Sequence, residues 1–250
     1  MKKKIVAIIQ ARIGSTRLPR KAMKLIMGKP MLSYQIKQVK KSKAITQIVV
    51  ATTNLKKDNA IVSFCKKNRI NWYAGSEKNV LERFFFTSLK YKADIIVRLT
   101  SDCPLIDPNI IDKAVKIFNA GNYDYLSNTC PSKGATYTDG MDVEVFDFFS
   151  LLTAYLKCKK KSDKEHVTHF FWKKIKDFKI FRFDLKKNYR FYRLTVDYIE
   201  DFILIKNIII YFKKNKKEIT FPNIVKFLKK NYKMAAINSL RNKEYKKFFF

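Results

Sequence analysis

Three polar clusters in the sequence combine residue types suited to phosphate chemistry. The first is QARIGSTRLPRK at residues 10–21, where Arg12, Arg17, Arg20 and Lys21 alternate with Gly14, Ser15 and Thr16. Gly14 is expected to let the backbone turn so that amides can face a phosphate, and Gln10 and Ala11 at the head of the stretch are counted with the nucleotide-binding residues. Ser15 and Thr16 add hydroxyl donors, and Arg12, Arg17 and Lys21 supply the charge that neutralises phosphate. The stretch contains neither GxxxxGK[ST] nor GxGxxG, which excludes a Walker A loop and a dinucleotide fingerprint. A solvated basic loop is the competing reading of the composition.

The second cluster is RLTSDCPLIDP at residues 98–108 and the third is RLTVDYIED at residues 193–201. Each follows an apolar, strand-like run and places an acid, Asp102 or Asp197, at its end. An acid at the mouth of a buried strand packs badly and is well placed to hold a divalent cation against phosphates. Magnesium commonly takes one or two protein carboxylates and fills its octahedron with water and phosphate oxygens, and this pair supplies that number. Asp107 before Pro108 reads as a helix N-cap followed by proline at the first helical position. Asp201 reads as a first-turn acid favoured by the helix dipole. No side chain is required as a nucleophile, so Cys103 is taken as a packing residue.

These clusters need a scaffold that brings strand ends together. Residues 3–11 form a continuous apolar run, as expected of a strand covered on both faces of a mainly parallel sheet. Helical spacing at 30–42, 58–69, 79–92 and 108–121 alternates with strand-like runs at 45–53, 70–75 and 93–102. That alternation predicts an α/β doubly wound, Rossmann-like sheet with helices on both faces, whose ligands bind outside the carboxyl ends of the strands. Beyond residue 121 the pattern becomes mixed. Strands are expected at 123–129, 140–146, 179–185 and 193–197, and helices at 148–158, 165–175 and 198–214. The expected organisation is a nucleotide-binding domain over 1–212 and a basic, amphipathic helical extension over 213–250 that packs on the same domain.

The chain has 250 residues, 53 Lys and Arg against 21 Asp and Glu, and a formal charge of +32. Lysine is spread along the whole length and Ile, Phe and Asn are also abundant, which reads as a compositional drift rather than a nucleic-acid surface. No dedicated nucleic-acid partner is therefore expected. Four scattered cysteines without a CxxC pair suggest neither zinc nor a disulfide framework. The apolar run at 202–212 is interrupted and too short to span a bilayer, and the opening lacks the h-region of a signal peptide, so a cytoplasmic protein is expected.

QARIGSTRLPRK, VVATT, GSEKNVLERF, RLTSDCPLIDP, GMDVEVF, KEHVTHF and LTVDYIEDF occur in one order along residues 4 to about 210. In that order the sequence resembles the spore-coat-polysaccharide-type cytidylyltransferases, which are similar to the acylneuraminate and 3-deoxy-manno-octulosonate cytidylyltransferases. The resemblance implies a nucleotide-diphospho-sugar transferase fold and transfer of CMP from CTP to a sugar acid, with Mg²⁺ as cofactor and pyrophosphate as product. It further implies that residues 10–21 hold the triphosphate, with Arg12 and Lys21 as principal contacts. Ala51, Thr52, Gly75 and Ser76 would line the cytosine and ribose, Asp102 and Asp197 would hold the metal, and Asp142, Glu144 and His166 would lie on the acceptor side. Relatives of this type are often homodimers. The chain departs from the family where Arg20 stands in place of the glycine of LPGK and where Lys164 replaces an arginine. The alternative is a glycosyltransferase of the same fold using a nucleotide-sugar donor. Against it stand the absence of an Asp-x-Asp motif after a strand and the excess of arginine in the first loop.

Overall fold

The computed structural model describes residues 3–173 and 177–242. Strand β1 (Ile5–Gln10) leads into the basic loop, a 3-10 turn at Lys21–Met23 and a small hairpin, β2 (Leu25–Ile26) and β3 (Lys29–Pro30). Four strand–helix steps follow: α1 (Met31–Val39) to β4 (Gln47–Thr53), α2 (Asn59–Lys67) to β5 (Asn71–Gly75), α3 (Val80–Lys90) to β6 (Ile95–Thr100), and then α4 (Pro108–Ala120). The second half contributes β7 (Tyr125–Ser127), β8 (Glu144–Asp147), α5 (Phe148–Lys157), α6 (Lys161–Glu165), α7 (His169–Lys173) and β9 (Ile180–Arg182). Helices α8 (Ile199–Lys214), α9 (Phe221–Lys230) and α10 (Tyr232–Ala235) close the described chain.

The seven-stranded sheet runs β5-β4-β1-β6-β8-β7-β9. Strands β5, β4, β1 and β6 are parallel, β8 is antiparallel to both β6 and β7, and β9 is parallel to β7. The chain steps from β1 to β4 on one side and reaches β6 on the other. The switch point therefore lies beyond the carboxyl ends of β1 and β6, where open α/β sheets form their ligand crevice.

Alternation along β1 divides the core. Ile5, Ala7 and Ile9 meet residues of α1, α4, α8 and α9, while Val6 and Ile8 meet Val80, Leu81 and Phe84 of α3 together with Leu151 of α5 and Phe171 of α7. Each fully buried aliphatic or aromatic side chain is worth roughly 1.5–3 kcal/mol, so both layers hold the strand in place. In α9, Phe221, Ile224, Val225 and Leu228 recur at helical spacing and are buried, with Lys226, Lys229 and Lys230 outside. The described part of the extension is thus continuous with the main core.

Asp107 ties these elements together. One carboxylate oxygen accepts the Asn109 N–H at 2.8 Å and caps α4, and the other accepts the Phe221 N–H at 2.7 Å at the start of α9. The cap is as the sequence predicts, and the second bond spans 114 residues.

Two expected elements take another form. Residues 193–197 form no strand beyond an isolated bridge from Arg193 to Asp139. Their N–H groups serve loops instead, Leu194 bonding Asp139 O at 2.8 Å and Val196 bonding Asp102 O at 2.9 Å. The helix expected over 165–175 is broken between α6 and α7, where Val167 adopts a left-handed φ of 47°. Residues 174–175 of that stretch, and 243–250 of the extension, lie outside the described residues.

Candidate active site

The basic loop folds back over the ends of β1 and β6. Asp58, fully buried before α2, accepts the Ile13 N–H and the Thr53 hydroxyl, pinning the loop to the end of β4. Ser15 N–H bonds Ile13 O at 2.8 Å, and Arg20 N–H returns to the same carbonyl at 3.2 Å. The tight turn is made by Arg20, at φ 57° and ψ 24°, and not by Gly14 as expected. Gly14 lies outside the left-handed region, and a Cβ there would meet chiefly the movable tip of Lys57. A glycine would avoid the strain that Arg20 accepts at this position.

Lys21 is the hub. Its ammonium donates to Asp102 Oδ2 at 3.0 Å, Asp197 Oδ1 at 2.9 Å and Val196 O at 2.8 Å. Arg17 approaches the same Asp197 oxygen at 2.8 Å, and Arg193 donates to the other at 2.9 Å. A cleft of about 250 Å³ opens here, lined by Gln10, Arg12, Gly14, Ser15, Thr16 and Arg17, by Lys21, by Thr100, Ser101 and Asp102, and by Asp197. Arg12 is exposed in it, with no carboxylate partner among the described residues. The cleft therefore combines a tied pair of acids with an unspent guanidinium, an arrangement suited to a polyanion.

Electrostatics keep Asp102 and Lys21 ionised. Burial raises the Asp102 carboxyl, but Lys21 and the Thr100 hydroxyl outweigh it and hold the group below the usual range. Burial likewise opposes the charge on Lys21, and Asp102 with Asp197 overcomes it. Asp142 behaves differently: burial first, and then Asp139, push its carboxyl up to about 6. It accepts the Gly140 N–H at 2.7 Å and stands 3.8 Å from the Cys103 thiol, which in turn stands 3.5 Å from Asp102.

The remaining sequence candidates separate. Ala11 and Ala51 join β1 to β4 through Ala11 N to Ala51 O at 3.1 Å, and Asn54 N–H joins Gly75 O at 2.9 Å, so Ala51, Thr52, Gly75 and Ser76 occupy neighbouring strand ends beside the basic loop. Thr52 Oγ1 is buried without a partner among the described residues, as is Arg83 Nε on α3. Arg83 donates to Ser76 O at 2.6 Å, and burial, followed by repulsion from Arg12, pushes its pKa down to about 10. Glu144 does not reach the cleft. Its oxygens are taken by Arg98, by the Tyr125 hydroxyl at 2.6 Å and by the Thr168 hydroxyl at 2.8 Å, so its carboxylate closes the sheet. His166 is exposed between α6 and α7, with its ring 4.2 Å from that of His169, and is not among the cleft-lining residues.

Sequence reasoning passed over Arg193, Asp139 and Asp58. Arg193 was visible only as the first residue of RLTVD, and no local pattern distinguishes it from a surface arginine.

The profile of a family described as Cytidylyltransferase matches residues 6–241. The chain belongs to the cytidylyltransferase family. Among curated relatives of this chain, an uncharacterized protein of Methanocaldococcus jannaschii is 38% identical over 248 residues, covering 97% of this chain and 98% of the relative. The spore coat polysaccharide biosynthesis protein SpsF of Bacillus subtilis is 29% identical over 214 residues, covering 81% and 85%. A cytidylyltransferase structure from Leptospira borgpetersenii superposes with a TM-score of 0.87 at 32% identity, covering 94% of this chain and 97% of that one. The sheet and its flanking helices are those of the nucleotide-diphospho-sugar transferase fold. No helix among the described residues is long and apolar enough to cross a membrane.

Proposed function

We propose that this cytidylyltransferase transfers CMP from CTP to a hydroxyl of a sugar acid, releasing pyrophosphate, in the synthesis of a surface polysaccharide. The observation that carries the reading is the convergence of the loop 10–21, Asp102 and Asp197 on one cleft around the Lys21 ammonium. Family membership supports the nucleotide, and the name of the Bacillus relative supports the polysaccharide. The resemblance to sugar-acid synthetases noted in the sequence supports the acceptor class.

In this reading the acceptor oxygen attacks the α-phosphorus and forms the new P–O bond. The bond from the α-phosphorus to the bridging oxygen breaks, pyrophosphate leaves with its electron pair, and the hydroxyl proton passes to water. The protein positions two substrates and stabilises developing charge. Arg12, unspent and exposed, takes the outer phosphates, while Ser15 and Thr16 offer hydroxyls from the same loop. Lys21 stands where charge builds on the α-phosphoryl oxygens. Ala51, Thr52, Gly75 and Ser76 bound the cytosine and ribose from the ends of β4 and β5. Asp142, linked to Asp102 through Cys103 but not itself lining the cleft, is assigned to the acceptor side.

The donor set also fits magnesium. Among the described residues no group of three or more His, Cys, Asp or Glu gathers to hold a metal. Asp102 and Asp197, both within reach of one ammonium, form the two-carboxylate set that magnesium uses when phosphates and water complete its shell. When bound, the ion would polarise the phosphoryl oxygens and offset their charge.

The test is incubation of the purified chain with CTP and a panel of eight- and nine-carbon sugar acids, following pyrophosphate. CTP-dependent release with at least one acid is expected. Absence of release with every acid, or turnover of a ready-made nucleotide sugar without pyrophosphate, overturns the reading in favour of a glycosyltransferase.

A further inference from the structure

The loop that carries Asp197 is held from behind by the end of the described chain. Asn238, only 2% exposed, sits between α10 and a 3-10 turn at Ser239–Arg241. Its side-chain amide donates to Asp201 Oδ1 at 2.8 Å and to Arg193 O at 2.9 Å. Asp201 is fully buried and has more work than a first-turn acid. Its Oδ2 accepts the N–H groups of Asp197 at 2.9 Å and Tyr198 at 3.0 Å, and its Oδ1 accepts Arg193 Nε at 3.1 Å. Arg193 then reaches Asp197 Oδ2 at 2.9 Å, and Asp197 Oδ1 reaches Lys21. An unbroken set of hydrogen bonds thus runs from Asn238 to the cleft.

A second tie runs beside it. The Arg241 guanidinium lies 4.2 Å from the centre of the Tyr198 ring and pairs with Glu200 at 2.9 Å, and Arg17 of the basic loop also lies over that ring, at 5.2 Å. Cation–π contacts of this kind add attraction to the same loop from the same segment. Asn242 continues the pattern, its amide bonding Arg190 O at 2.9 Å and Phe191 O at 3.0 Å just before RLTVD.

We infer that residues 231–242 are a working part of the catalytic centre, with Asn238 a positioning residue that fixes Asp197 through Arg193 and Asp201; this rests on the cytidylyltransferase reading of the cleft. Residues 193–197 have no neighbouring strand, so nothing in the sheet fixes where the Asp197 carboxylate points. Lys21 and Arg17 hold it from the cleft, and Arg193 and Asp201, themselves braced by Asn238 of the extension, hold it from behind. Groups bonded directly to a ligand typically change activity by about 10–100-fold when removed, because misplacement of a reacting group is costly; Asn238 holds two such groups, Arg193 and Asp201, so the lower end of that range is expected.

The test compares Asn238→Ala with Val225→Ala, a buried truncation on α9 that makes none of the relay's hydrogen bonds and controls for loss of stability. Both are assayed well below their unfolding temperatures. Asn238→Ala is expected to lower kcat by about tenfold while KM for CTP stays within about twofold, because the basic loop and strand ends that hold the nucleotide are untouched. Val225→Ala is expected to keep kcat. Hydrogen exchange gives a readout independent of activity: the Asp197 and Tyr198 amides should exchange faster in Asn238→Ala and not in Val225→Ala. Unchanged exchange at those amides, or a kcat equal in the two variants, overturns the inference. An inert wild type overturns the cytidylyltransferase reading instead, and exchange still decides whether Asn238 holds Asp197.

Discussion

Strand β6 carries Arg98, and Asp102 stands just past its end; each begins a cluster of buried charge, and the two clusters end in opposite situations. Around Arg98 the set is largely spent inside the sheet: Glu144 gives its oxygens to Arg98, Tyr125 and Thr168, its side chain is 6% exposed, and Arg98 touches the cleft only through Gln10 Oε1 at 3.4 Å. Around Asp102 the set is open: Lys21 links two carboxylates at the rim of a cleft, Asp102 is 25% exposed, and Arg17 and Arg12 add cations beyond what the acids need. Burial of charge is common to both. What marks the second as a site is an unbalanced surplus of cation facing an accessible space, whereas the first balances one buried cation with one carboxylate and fastens β8 to β6.

The sharpest way to break this comparison is to remove one partner from each cluster. Glu144→Ala should strand the Arg98 guanidinium in the sheet and cost about 3–5 kcal/mol of stability, read by denaturant unfolding, while kcat measured well below the transition stays near the wild-type value. Asp102→Asn should do the reverse. It should lower pyrophosphate release by about 10²–10³-fold, the scale of losing one electrostatic contact to the transition state, with the unfolding midpoint little changed. If Glu144→Ala abolished turnover in a folded protein, the Arg98 cluster would have to be counted as part of the site.

A smaller effect sharpens the boundary between the clusters. The Asp142 carboxyl is raised to about 6 from an ordinary 3.8, by burial and then by Asp139. The folded state therefore binds more protons than the unfolded one between those values, and stability falls as pH rises through that window. Asp142→Asn should flatten that slope and raise the melting temperature at pH 7, as thermal unfolding across pH 4 to 7 would measure. The smallest expected change is at Arg20. Its left-handed backbone is the conformation glycine adopts at little cost, so Arg20→Gly should stabilise the fold by about 0.5–1 kcal/mol in the same assay, without loss of turnover.

The first half of the sheet is legible in the sequence because each strand–helix step is local: apolar runs, caps and helical spacing lie within a dozen residues. The basic loop, Asp102 and Asp197 are legible for the same reason, each being a polar group where an apolar run stops. What the sequence hides is long range. Arg193 meets Asp139 across 54 residues and Asn238 meets Asp201 across 37, and no local pattern records either. RLTVD alternates like a strand, yet its amides bond to Asp139 and Asp102 in loops, so its periodicity reports burial and not sheet pairing. The turn in the basic loop was assigned to Gly14 on residue type, and the backbone places it at Arg20, a position whose strain only coordinates reveal.

The double attachment of Asp107 bears on where the molecule could be trimmed. Cutting before Phe221 would leave half of an internal anion without its donor, directly under the first turn of α4. The change of composition near residue 212 is therefore a shift of style along one continuous body, and a shortened protein ending there would need a new neighbour for that oxygen before its remaining helices could settle.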